Sequence, residues 1–162
     1  MPHGIPGTRQ ALLGTSVSFK PRRGARPSVD AMAPTFDVIN VVVADMGKSL
    51  AFYRRLGLDI PADADGEPHV ECSFPGGLRL CWDTVETIAS FNPGFTMPTG
   101  EGRIGLAFRC DSPAEVDSVY ADLVGAGYTS ELEPFDAFWG QRYATVLDPD
   151  HNGVDLYCPN AA

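Results

Sequence analysis

Chemistry needs particular side chains at particular spacings, and this chain offers few such sets. Its histidines, His3, His69 and His151, make no HxH or HExxH pair that would aim two rings at one metal ion. The four cysteines, Cys72, Cys81, Cys110 and Cys158, lack the CxxC spacing of structural zinc, and all but Cys72 lie in or beside apolar runs, as buried free thiols do. There is no Gly-x-Ser-x-Gly elbow, and Gly100-Glu101-Gly102 is too short for a phosphate loop. What remains is suited to holding a molecule. Asn40 is a neutral amide inside an apolar run and must find hydrogen bonds, in a structural network or with a ligand. Phe135, Phe138, Trp139 and Tyr143, with Trp82, Phe91 and Phe95, are enough aromatic surface to stack on a flat ligand; core or dimer packing would use the same residues.

The elements that position these groups emerge when the chain is laid against itself. Residues 36–43 form an apolar strand candidate ending at Ala44-Asp45, followed by a helical stretch through Leu56 and then Gly57. Residues 104–110 form a second strand candidate ending at Asp111, followed by a helical stretch through Ala126 and then Gly127. The two aspartates are 66 residues apart, whereas Tyr53 and Tyr120, and Leu56 and Leu123, are 67 apart. Asp45 can accept from the free N–H groups of a first turn, ahead of Met46, Leu50 and Tyr53 on one face. Ser112-Pro113-Ala114-Glu115 reads as a capping box ahead of Val116, Val119, Tyr120 and Leu123. Short strand candidates follow each helix: 68–74 and 78–83 in the first half, then 129–133, 142–147 and 154–158 in the second. Residues 84–102 show little periodicity and read as a loop long enough to act as a flap.

Bulk properties bound the rest. The chain has 162 residues and is 44% hydrophobic, with nine phenylalanines, five tyrosines and two tryptophans, which suits one domain. No apolar run approaches a membrane span, and a cytoplasmic protein is expected. Residues 1–35 carry Arg9, Lys20, Arg22, Arg23 and Arg26 against Asp30, a net +4, so the remainder stands at −13 within the chain's −9. That acidity argues against nucleic acid and leaves neutral or cationic small molecules open. Residues 1–35, rich in proline, glycine and arginine, are expected to be a disordered N-terminal extension to a domain at 36–160. Met32 just before the first strand fits an upstream extension or a misassigned start; an organellar transit segment is the alternative.

The stretches Val41-Val42-Val43-Ala44-Asp45-Met46, Ser49-Leu50-Ala51-Phe52-Tyr53 and Leu56-Gly57-Leu58 resemble the opening of vicinal oxygen chelate proteins, the glyoxalase, bleomycin-resistance and extradiol dioxygenase superfamily. Asp148-Pro149-Asp150-x-Asn152-Gly153-Val154-Asp155-Leu156 is similar to the family's closing turn and last strand. The resemblance implies an α+β fold of two βαβββ modules forming a mixed, cupped sheet around a cleft, with the helices outside, in a homodimer. It also implies metal positions: seven residues before the first-helix Asp, in the strand before the midpoint, six before the second-helix Asp, and an acid in the last strand. Here these fall on Val38, on Arg79 or Cys81, on Gly105 and on Asp155. Valine and glycine donate nothing to a metal and Arg79 brings a positive charge, so no metal is expected.

With position 38 facing the cleft, strand alternation adds Asn40 and Val42, and likewise groups Arg79, Cys81 and Asp83, Gly105, Ala107 and Arg109, and Asp155 with Tyr157. The expected ligand-binding residues are therefore Asn40, Arg79, Trp82, Phe95, Arg109, Trp139, Tyr143, Asp155 and Tyr157, around a small, partly aromatic, possibly cationic molecule. Arg79 and Asp155 could instead pair with each other. The alternatives are an enzyme of the superfamily, a lyase, isomerase or dioxygenase, using an unusual divalent-metal set or acid–base chemistry of Asp155 with His69 or Tyr157, and an assembly domain with a vestigial cleft.

Overall fold

The computed structural model describes residues 36–99 and 104–160, and the expectations for residues 1–35 lie outside them. The fold is α+β, built from two mixed sheets and three α-helices. The first module runs β1 (Val38–Val43), α1 (Met46–Arg55), β2 (His69–Ser73) and β3 (Arg79–Thr84), and its sheet is ordered β1-β3-β2. After α2 (Val85–Phe91), the second module runs β4 (Leu106–Arg109), α3 (Pro113–Gly125), β5 (Ser130–Ala137), β6 (Gln141–Leu147) and β7 (Gly153–Pro159), ordered β4-β7-β6-β5. In each sheet the first strand runs parallel to the last, and the last pairs antiparallel with the strand before it.

The first sheet is one strand short. The segment corresponding to β5 is a 3-10 turn, Ala62–Gly66, bracketed by Pro61 and Pro68 and rich in aspartate, residues that a strand disfavours. Arg54 of α1 holds this segment in place through the carbonyls of Ile60 (2.8 Å) and Pro61 (2.6 Å) and the carboxylate of Asp65 (2.7 Å). The connection read as a loop at 84–102 contains helix α2, started by Thr84, whose hydroxyl accepts from the N–H of Thr87. Seven residues are too few for apolar periodicity to declare a helix, and Thr84 ahead of Glu86 was its only local sign.

The helix caps make the internal repeat uniform. Asp45 caps α1 and Ser112, not Asp111, caps α3, so the caps are 67 residues apart like the tyrosines. Glu115 closes the second cap by accepting from the N–H of Asp111. Both helices stop at a glycine in the left-handed region, Gly57 (φ 87°) and Gly127 (φ 96°), where a Cβ would be strained.

Alternate strand residues build the core. Val43, Val70, Leu80 and Trp82 pack with Met46, Leu50 and Tyr53 of α1, and Ala144, Val146, Val154, Leu156 and Cys158 with Val116 and Leu123 of α3. The modules are tied on this helix side. Tyr53 Oη donates to Asp148 Oδ2 at 2.9 Å, the N–H of Ala44 donates to Asp150 at 3.0 Å, and Arg55 meets Asp122 at 2.9 Å. The four cysteines are free thiols, with Cys81, Cys110 and Cys158 buried. Among the described residues, no helix is long and apolar enough to cross a membrane.

Candidate functional site

Each sheet has a second face, turned away from this core, and the residues expected to bind a ligand divide between the two. Asn40 and Arg79 belong to the first, with His69, Glu71, Cys81 and Asp83; Arg109, Tyr143, Asp155 and Tyr157 belong to the second, with Thr145. Among the described residues, no hydrogen bond or ion pair joins the two faces. Arg79 therefore pairs with Glu71 and not with Asp155.

On the first face, β2 and β3 lie antiparallel with His69 opposite Asp83 and Glu71 opposite Cys81, so four chemically active side chains share one patch. Arg79 donates from Nη1 to both oxygens of Glu71 at 3.0 Å and reaches Asp37 at 3.5 Å. His69 places Nδ1 2.7 Å from Asp83 Oδ1 and Nε2 3.1 Å from Glu71 Oε1. Two carboxylates on one imidazole raise its pKa, the hydrogen bond to Asp83 contributing most and that to Glu71 next. The bonds to His69 and then Arg79 hold the Glu71 carboxyl below its usual range. Asp83 is only 6% exposed and also accepts from the Asn40 amide, which resolves how that amide is satisfied. Cys81 is 2% exposed; burial and the neighbouring Glu71 carboxylate push its thiol up, so it stays protonated at neutral pH.

On the second face, Asp155 accepts from Thr145 Oγ1 at 2.8 Å. Burial and then the neighbouring Asp155 carboxylate raise the Tyr143 phenol far above its ordinary value, which keeps it neutral. Phe135, Trp139 and Tyr143 form a mutual edge-to-face cluster with centroids 5.5–6.0 Å apart, extended by Phe138 at 4.9 Å from Trp139. The turn Phe138-Trp139-Gly140 between β5 and β6 leaves Trp139 45% and Phe138 79% exposed.

Trp82 departs from its expected place in the stacking group. It has the parity of Leu80, points into the core at 0% exposure and packs on Tyr53 at 5.1 Å. Phe95 is half-buried in the segment after α2, and Phe91 ends that helix 71% exposed. Glu71 is absent from the expected ligand-binding residues, and His69 meets Asp83 and Glu71 here rather than the Asp155 expected in the acid–base alternative. The available signal was parity, since 69 and 71 alternate together, but their partners on β3 needed the strand register.

The register also tests the metal positions implied by the family resemblance. Asn40 pairs with Cys81 and Ala107 with Asp155; since Asn40 and Ala107 each lie two residues beyond Val38 and Gly105, Cys81 is the counterpart of Asp155. A Cβ at Gly105 would sit 3.6 Å from Asp155 Oδ2, so those two positions do adjoin. Val38 and Gly105 nonetheless supply no donor, and the residues present do not fit a metal held in that way.

The glyoxalase/bleomycin resistance protein/dioxygenase superfamily model matches residues 35–156. An uncharacterized protein of Bacillus subtilis, YraH, is 32% identical over 122 residues, covering 74% of this chain and 94% of its own. A glyoxalase/bleomycin resistance protein/dioxygenase family enzyme from Burkholderia phytofirmans has a similar structure, with a TM-score of 0.67 at 19% identity over 78% of this chain and 99% of that one. A further glyoxalase/bleomycin resistance protein/dioxygenase, from Nocardioides, gives a TM-score of 0.63 at 22% identity over 83% and 89%.

Proposed function

This chain belongs to the glyoxalase/bleomycin resistance protein/dioxygenase superfamily, and we propose that it acts there as a binding protein, holding a small, partly aromatic organic molecule without a metal at the family's ligand positions. The observation carrying this reading is the half-exposed indole of Trp139, set edge-on to Phe135 and Tyr143 on the sheet face that also bears Asp155. Rigid rings lose little conformational freedom on contact, so such a wall suits a flat ligand. Asp155 has a second oxygen beyond the one that accepts from Thr145, and in a chain of net charge −9 it favours a ligand with a cationic or N–H group. Acid–base turnover by Asp155 with His69 or Tyr157 has less support, because among the described residues Asp155 bonds Thr145 and neither of them.

The two tryptophans make the test simple, since Trp82 is buried and Trp139 is half-exposed. Titration with a planar cationic dye such as acridine orange should quench the exposed indole and raise the melting temperature with dye concentration, as linkage requires. Trp139→Phe should remove the quenching, and Asp155→Asn should weaken binding about tenfold, or about 1.4 kcal/mol. Quenching that survives unchanged in Asp155→Asn and Tyr143→Phe would place the ligand elsewhere. A homodimer in the cytoplasm completes the proposal. If Phe138→Ser and Trp139→Ser split a dimer while no dye shifts the melt, the aromatic wall serves assembly instead.

A further inference from the structure

The polar patch on the first sheet is not used by that ligand reading. We propose that His69, Glu71 and Cys81 form a zinc-binding site that shares Cys81 with the family's metal positions and takes its other two ligands from β2. One ligand atom from each residue lies within 4.8 Å of the others. A tetrahedral zinc ion with bonds of about 2.0–2.3 Å needs donors roughly 3.3–3.8 Å apart, so side-chain adjustments of about 1 Å close the site. The strands supply that closeness through backbone hydrogen bonding, with Glu71 directly opposite Cys81 and His69 two residues along β2.

Three further features favour a metal. Imidazole, carboxylate and thiol together suit zinc or cobalt and are too soft for magnesium or calcium. His69 is already oriented: Asp83 fixes Nδ1 at 2.7 Å and is itself held by Asn40, leaving Nε2 turned toward Glu71, the arrangement in which a carboxylate braces a metal-bound histidine. The side chains of His69 and Glu71 are 44% and 38% exposed, so an ion can enter from solvent although Cys81 is buried. Arg79 is the apparent obstacle. It contacts both oxygens of Glu71, however, and a metal that takes Oε1 leaves it Oε2, close to its present geometry.

On binding, the Cys81 thiol and the Nε2–H of His69 each release a proton to water. The thiolate and the freed Nε2 lone pair bond the metal, the hydrogen bond from Nε2–H to Glu71 is lost, and Nδ1–H stays on Asp83. Three protein donors leave a fourth position for water or an anion.

Cobalt and zinc titrations of the full chain test the assignment. Co2+ should bind at one equivalent and give a near-ultraviolet thiolate-to-metal charge-transfer band that Zn2+ removes. Cys81→Ser should abolish the band, His69→Gln and Glu71→Gln should each lower Zn2+ affinity at least tenfold, and His3→Ala and Cys72→Ser should leave both readouts unchanged. Asp83→Asn should keep the band but lower affinity about tenfold, because Asp83 positions a ligand without being one. Should Cys81→Ser fail to fold by circular dichroism, the two substitutions on the exposed side chains carry the test alone. Absence of the band in the folded wild-type chain, or zinc binding unchanged by His69→Gln and Glu71→Gln, overturns the proposal.

Discussion

The tie between the modules predicts the cost of removing one oxygen atom. Tyr53 is fully buried on α1 of the first module, and its hydroxyl donates to Asp148 Oδ2 in the closing turn of the second. Burial, followed by the nearby Asp148 carboxylate, raises the phenol far above its ordinary pKa, so it remains a donor throughout the stable pH range. Asp148 is 3% exposed and keeps three other donors, the N–H groups of Asp150 and Asn152 and the side-chain amide of Asn152. Tyr53→Phe keeps the ring and removes only the bond to a charged acceptor, worth about 1.5–3 kcal/mol; the surviving donors place the loss near the lower end, about 1.5–2 kcal/mol. For a domain of about 125 residues, unfolding entropy is roughly 0.26 kcal/mol per degree, so the melting temperature should fall by about 6–8 °C. Thermal unfolding followed by circular dichroism measures this directly. A double-mutant cycle with Asp148→Asn should show about 1 kcal/mol of coupling. A fall under about 2 °C, or additive effects in the cycle, would refute the idea that this bond joins the modules.

His151 is the only described non-glycine residue with positive φ, at 66°. The left-handed region costs an L-residue about 1–2 kcal/mol, partly offset by glycine's looser unfolded chain, so His151→Gly should raise stability by about 0.5–1 kcal/mol in a denaturant titration. An unchanged midpoint would count against strain there. His69 has a raised folded-state pKa, so its contribution to stability is full below the unfolded value of about 6.5 and is lost as pH rises through the folded value. The melting-temperature gap between wild type and His69→Gln should therefore shrink as the pH rises above about 6.5; a gap that widens would reverse the assignment. Burial pushes the Cys110 thiol up to about 11 and raises Cys72 and Cys81, while Cys72 alone among the four cysteines is partly exposed. Thiol labelling of the native protein should modify Cys72 first and the other three only on unfolding, and rapid labelling of all four would contradict the burial.

Local chemistry could be read from the residues alone. The caps at Asp45 and Ser112, the stops at Gly57 and Gly127 and the parity that pairs Asp155 with Tyr157 involve neighbours a few residues apart, and steric and hydrogen-bonding rules settle these before any packing occurs. The absence of metal donors at Val38 and Gly105 was legible for the same reason, being a matter of residue type. Long-range pairing settled the rest. Which residue of β3 lies opposite Glu71, whether Arg79 meets Asp155 or Glu71, and which way Trp82 points depend on the register of strands joined by turns and on which face each helix covers. A one-residue slip would have exchanged Cys81 for Trp82 on the polar face, and sequence pattern fixes no such register between separate strands. Packing of α1 on Leu80 and Trp82 excludes that slip, because it would put an aspartate and a cysteine into the core and the indole into water.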